Sequence, residues 1–165
     1  MKNWIKGAGL AFAIVTVACS PVSAGAGQNA QAKAQAPAVH PVSGLKVVPL
    51  TITTAKGAHP FRVEVAASFA EQEKGLMFRT QMGADEGMIF PMDPPRQTAF
   101  WMKNTVISLD IVYVGTDHRI LNIAANAVPY DLTPLVSKGA VSGVLEINGG
   151  RAAELGIQPG DKVEW

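Results

Sequence analysis

The chain has a single cysteine in 165 residues, and Cys19 lies near the amino terminus, so no intramolecular disulfide can form and no thiol is available further along. Histidine is scarce as well: His40, His59 and His118 are spaced too widely for a zinc-ligand motif. No G-x-S-x-G elbow occurs and no histidine stands beside a candidate nucleophilic serine, which removes the usual signatures of nucleophilic hydrolysis. A surplus of positive charge is also missing, since 14 Lys and Arg face 13 Asp and Glu. Nucleic-acid binding and polybasic membrane contacts both need that surplus, so neither partner is expected. No metal and no cofactor is expected either.

Long apolar runs are few. The most prominent, residues 7 to 19, follows Lys2 and Lys6 and precedes small residues. It is short for a membrane span, and the order of charge, apolar run and small residues is that of a secretory signal peptide. Residues 1–24 are read as this signal, with Val22, Ser23 and Ala24 as the cleavage site and a periplasmic or secreted destination. The alternative is lipidation of Cys19, which would give a membrane-anchored lipoprotein; Thr16 stands where a lipobox usually has leucine, which favours free secretion. Loss of Lys2 and Lys6 with the signal leaves 12 basic against 13 acidic side chains. Residues 25–44 are rich in Ala, Gln, Gly and Pro without apolar period, and are expected to form a disordered tether. One globular domain is expected over 45–165.

Within it strand signals dominate. Residues 46–54 and 60–68 alternate, with Phe61, Val63 and Val65 on one face and Arg62, Glu64 and Ala66 on the other, and Gly57 between the two runs allows a hairpin. Ser68 and Glu71 stand at capping-box spacing ahead of Gly75, which predicts a helix of about two turns. Further strands are expected over 97–102, 106–114, 119–125 and 141–147. A helical turn at 151–155 ends at Gly156, and Pro159-Gly160-Asp161 turns the chain into a closing strand. The expected fold is α+β and mainly antiparallel, about seven strands in a barrel- or sandwich-like arrangement with two short helices.

Several strings in this order, GLMFR at 75–79, GMIFPM at 87–92, FWMKNT at 100–105, LDI at 109–111, VLEINGG at 144–150 and GIQPGD at 156–161, resemble the domain-of-unknown-function family 192. The likeness covers roughly residues 62 to 165. Ser108 stands where that family usually has proline, and Gly149 where alanine is common. The resemblance implies a small bacterial or archaeal domain, often exported, with no settled activity, so the candidate site rests on the residues' own chemistry.

Asp110 sits inside an apolar strand, where a carboxylate must be paired or hydrogen-bonded. It either locks a nearby loop through backbone N–H groups or serves a cleft. Trp101, Lys103 and Asn104 fall where a strand gives way to a turn, a place where side chains converge on ligands. Trp101 alternates away from Phe100 and Met102, so its indole is expected to face outward or into a groove and to stack on a sugar or aromatic ligand, with Lys103 holding an anion. The competing reading has Trp101 covering a sheet edge and Asn104 supplying a turn conformation. Glu146 either pairs with Lys103 or Arg79 or joins the site. The candidate ligand-binding set is therefore Trp101, Lys103, Asn104, Asp110 and Glu146, for an unidentified small molecule or envelope component. Asp110 and Glu146 would be the catalytic couple if the protein were an envelope enzyme acting on a polar or glycan substrate; a purely structural envelope role is the third reading. Met77, Met82, Met88, Met92 and Met102 are read as core fillers rather than copper ligands, because their spacings are irregular and Met77 and Met88 adjoin Leu, Phe or Ile.

Overall fold

The computed structural model describes residues 38–165. The expected signal and most of the expected tether lie outside the described residues. Ten strands and two helices follow in order: β1 (Ala38–Val39), β2 (Lys46–Thr54), β3 (Gly57–Val65), α1 (Phe69–Lys74), β4 (Glu86–Arg96), β5 (Ala99–Phe100), β6 (Leu109–Gly115), β7 (Ile120–Ala127), β8 (Leu135–Val136), β9 (Val141–Asn148), α2 (Arg151–Leu155) and β10 (Lys162–Glu164). Eight strands form one sheet in the order β1-β2-β3-β4-β9-β6-β7, with β10 also on β2, while β5 and β8 form a separate pair. All pairings are antiparallel except β3 with β4.

The mainly antiparallel α+β expectation holds, but the sheet is not closed into a barrel. Its ends meet at one point, where Arg119 bridges Lys162 and the Val163 N–H donates to the His118 carbonyl at 2.8 Å. β4 is the strand the sequence pattern conceals. It lies between β3 and β9 and is buried on both faces over Gly87–Phe90, so its apolar residues run on without alternating. Its Pro91, Pro94 and Pro95 mask it further, because proline is rarely found inside a sheet. The tether expectation is corrected at its end: Ala38 and Val39 pair with Val47 and Lys46, and the turn that follows delivers the Ser43 hydroxyl to Glu64.

Two apolar layers cover the two faces of the sheet. One gathers Leu50, Ile52, Phe61, Val63, Ile89, Val112, Leu145 and Ile147 with Ala152 of α2. The other gathers Met88, Phe90, Met102, Leu109, Ile111, Tyr113 and Val144. Each fully buried large side chain contributes about 1.5–3 kcal/mol, which explains why β6 is buried from end to end. Met88, Met92 and Met102 are buried, and Met82 lies against the second layer, as gap-filling methionines do.

The short α1 has the expected capping box. Ser68 Oγ accepts from the Glu71 N–H, Glu71 Oε2 accepts from the Ser68 N–H at 2.7 Å, and Gly75 ends the helix at φ 45°. The Gln72 amide fixes α1 over β4 by donating to the carbonyls of Ala66 and Pro91.

Gly87 sets the spacing between β4 and β9: a Cβ there would lie 2.5 Å from the Glu146 carbonyl oxygen, a backbone atom held by the sheet. Gly87→Ala is expected to cost about 2 kcal/mol or more, read as a lower urea midpoint. An unchanged midpoint would mean that the two strands separate freely.

Candidate functional site

Residues paired across adjacent strands share a face of the sheet. Ile111 of β6 and Met88 of β4 both pair with Glu146 of β9, so its carboxyl stands on the second layer, flanked by two buried apolar side chains. Asp110 pairs with Ile147 and therefore points to the opposite layer. There it is fully buried, and its carboxylate accepts three backbone N–H groups: Asn126 at 2.7 Å and Gly150 at 3.0 Å on Oδ1, and Ala152 at 2.8 Å on Oδ2. These bonds hold the end of β7 and the start of α2 to β6, and charge-assisted bonds of this kind are the stronger sort. The pleat thus corrects two expectations. Asp110 does not share a cleft with Trp101 and Lys103, and Asp110 and Glu146 do not face one another as an acid–base couple.

The other four nominated residues, Trp101, Lys103, Asn104 and Glu146, line one cleft of about 570 Å³. Its walls come from α1, the turn from Gly75 to Met77, Phe90, Met92 and Arg96 of β4, and the stretch from Thr98 to Thr105. Three backbone hydrogen bonds to two other segments hold the loop carrying Trp101. The Met102 N–H donates to the Asp131 carbonyl, Tyr130 donates to Thr105, and Phe78 donates to Asn104. Asn104 adopts φ 55°, the left-handed turn conformation, and its amide donates to Met77 Sδ at 3.7 Å. With Met102 buried as the anchor, Trp101 is left 50% exposed on the wall, and Lys103 Nζ lies 5.3 Å from the centre of its ring. Phe90 and Phe100 meet edge to face at 5.0 Å, and Phe100 meets Tyr113 at 6.4 Å.

Glu146 is 5% exposed and has no hydrogen-bond or ion-pair partner among the described residues. Burial alone pushes its pKa up to about 8. Tyr113, on the same face, is pushed well above its ordinary range by burial and then by the charge of Glu146, and its hydroxyl donates to the Leu135 carbonyl. The cations considered as partners for Glu146 are engaged elsewhere. Lys103 lies over the indole, and Arg79 makes a bidentate pair with Glu64 at 2.9 and 3.1 Å.

A larger cleft of about 960 Å³ shares Ala70, Lys74, Gly75 and Met77 with the first and is lined by residues 40–45 and 77–83. The buried carboxylate beside it, Glu64, already holds Arg79 and the Ser43 hydroxyl, with His40 Nε2 at 3.6 Å. The smaller cleft has the unsatisfied group. Sequence reasoning missed its walls, namely Phe90, Phe100, Lys74 and Arg96, because only the pairing of β4 with β9 brings them over Glu146. Among the described residues no cluster of three His, Cys, Asp or Glu side chains is placed to hold a metal.

The fold and the site define a β-rich domain whose sheet carries, on one face, a cleft of mixed polarity over a buried carboxyl that is unpaired among the described residues. The sequence profile of DUF192, described as uncharacterized ACR, matches residues 51–165, and the chain belongs to this family. It is similar to a protein of unknown function from Novosphingobium aromaticivorans whose crystal structure is solved, with 65% identity, a TM-score of 0.78, and coverage of 81% of this chain and 96% of that one. It is also similar to a candidate transcription regulator from Sinorhizobium meliloti, with 38% identity, a TM-score of 0.71, and coverage of 73% of this chain and 94% of that one. No functionally curated protein matches the chain. Positions 108 and 149 touch: a Cβ on Gly149 would lie 2.4 Å from Ser108 Oγ and 3.0 Å from the Ser108 carbonyl carbon, so the backbone at 108 itself calls for glycine at 149.

Two outcomes check this geometry. Asp110→Asn replaces one acceptor oxygen with a donor opposite backbone donors, and is expected to lower stability by about 2 kcal/mol; an unchanged melting temperature would contradict the three-bond lock. Glu146, with an ordinary value of 4.5 and a folded value pushed up to about 8, binds its proton more tightly when folded. Its contribution is present below pH 4.5 and is lost as pH rises towards 8, at up to about 1.4 kcal/mol per unit. Glu146→Gln is expected to remove that slope, so the variant gains on the wild type in urea denaturation at pH 8 relative to pH 5. Parallel pH profiles would contradict the buried, unpaired carboxyl.

Proposed function

We propose that the chain is an exported small-ligand-binding domain of the cell envelope and that the cleft over Glu146 is its site. The observation that carries this reading is the convergence of an exposed indole, a lysine and an unpaired buried carboxyl in one cavity whose volume suits a small molecule. A carboxyl removed from water without a partner destabilises the empty protein, and a ligand supplying the missing hydrogen bond recovers that loss. Export is supported by the order of Lys2, Lys6, apolar run and small residues at the amino terminus, with lipidation at Cys19 as the alternative ending. The near balance of charge gives a nucleic-acid role no electrostatic basis here, whatever the description of the Sinorhizobium protein.

An envelope enzyme acting on a polar or glycan substrate is the second reading. One observation favours it: a carboxyl with its pKa near 8 in a cleft is suited to proton transfer at neutral pH. Glu146 would act alone in it, since Asp110 faces the other layer.

A thermal-shift screen of envelope metabolites and glycans against the full chain tests both. A binder returns its ligand unchanged, an enzyme returns a product, and no shift with any compound favours a structural role. Trp101→Ala and Lys103→Ala are expected to hold the melting temperature of the free protein within about 2 °C, since both side chains are on the wall and not in the core. Each is expected to lose most of the ligand-induced shift. A shift retained in both variants would place binding elsewhere.

A further inference from the structure

We infer that the ligand of this cleft is a small zwitterion, with an ammonium group that docks on Glu146, an apolar or aromatic body, and an anionic end at the rim. This rests on the reading of the cleft as a binding site and adds the chemistry of what fills it.

The floor is the informative part. Glu146 is more than nine-tenths buried, lines the cavity, and receives no hydrogen bond and no ion pair from the described residues. Once ionised, its two oxygens only accept, so the group that completes the ionised site is a donor, and a charged donor makes the stronger bond in a poorly solvated place. The surroundings suit a cation. Phe90 and Phe100 line the cavity, with the Trp101 indole on its wall, and aromatic rings attract ammonium groups through their faces. Nothing else on the floor competes, because Met88 and Ile111 flank the carboxyl and the Tyr113 hydroxyl is committed to a backbone carbonyl.

The walls and rim carry the opposite sign. Lys74, Arg96 and Lys103 line the cleft against the single additional acid Glu73. A purely cationic ligand would meet repulsion there, whereas a molecule with an anionic far end would be attracted. Separated charges of opposite sign, joined by an apolar body, match this distribution. The cavity of about 570 Å³ sets the size at that of a small molecule and not a folded partner.

Burial favours the protonated form of the empty carboxyl, so docking an ammonium there must expel that proton. Binding therefore strengthens with pH, by about tenfold per unit between pH 6 and 7, and levels off above 8. The groups lining the cavity, Arg96 from β4, Glu73 and Lys74 from α1 and Lys103 from the loop, and Tyr113 of β6 buried on the same face of the sheet, contribute to any observed profile. The part due to Glu146 is what Glu146→Gln removes.

The test uses the full chain and three matched probes, 4-(aminomethyl)benzoate, 4-(hydroxymethyl)benzoate and 4-methylbenzoate, titrated by NMR at pH 6, 7 and 8. The aminomethyl probe is expected to bind at least about tenfold more tightly than the methyl probe at pH 8. That preference is expected to vanish in Glu146→Gln, a variant that removes an unpaired charge and leaves the cavity shape intact. Lys103→Ala is expected to weaken all three probes alike. If the hydroxymethyl or methyl probe binds as well as the aminomethyl one and is sensitive to Trp101→Ala, the cleft reading stands and the ammonium assignment falls. If an aminomethyl preference persists in Glu146→Gln, the assignment to this carboxyl is wrong. If none of the probes binds at 10 mM, the zwitterion inference is overturned, and the metabolite and glycan screen then decides the cleft reading separately.

Discussion

Neighbouring residues on a strand point to opposite sides of a sheet, and paired residues on adjacent strands point to the same side. This constraint, applied to β4, β9 and β6, fixes the rest of the molecule's chemistry. It sends Asp110 into the layer of Val112, Leu145 and Ile147, and Glu146 into the layer of Met88, Ile111 and Tyr113. Two carboxylates on directly adjacent strands thereby acquire unrelated roles. One is saturated by backbone donors and ties the start of α2 and the end of β7 to the sheet. The other reaches a cavity with no hydrogen-bond or ion-pair partner among the described residues.

The contrast is energetic as well as geometric. Three backbone N–H donors satisfy the buried carboxylate oxygens of Asp110. Glu146 has no such donors among the described residues, and burial favours its protonated form. A fold under selection for stability alone is better served by an apolar residue at that position, as buried polar groups without partners cost about 1–3 kcal/mol. The unpaired carboxyl is the feature on which the proposed site rests, and the aromatic contacts from Phe90 through Phe100 to Tyr113 frame it.

Much of the local structure was legible in the residues. The capping box from Ser68 to Glu71, the stop at Gly75, the alternation of Phe61 and Val63, and the division of Trp101 from Met102 all depend on near neighbours in sequence. The loop-locking alternative for Asp110 was also legible, because an acid inside an apolar strand has few other ways to exist. β4 was not. It carries three prolines and is buried on both faces, so neither alternation nor composition marks it as a strand. Without β4 the order of the sheet cannot be drawn, and without that order nothing says that Glu146 opposes Met88 and Ile111, or that Arg79 reaches Glu64 instead. Glu64 shows the same limit. It alternates with core residues as an outward-facing side chain would, yet is buried because the turn after β1 and Arg79 close over it.

One carboxyl, buried, unpaired among the described residues and open to a ligand, carries the proposed site. Its ionisation can be followed directly by the side-chain carbonyl carbon shift of Glu146 in a ¹³C NMR titration of the full chain, assigned by comparison with Glu146→Gln. A midpoint near 8 is predicted for the free protein. A midpoint near the ordinary glutamate value of 4.5 would show that the group is solvated or already paired, and would contradict the site.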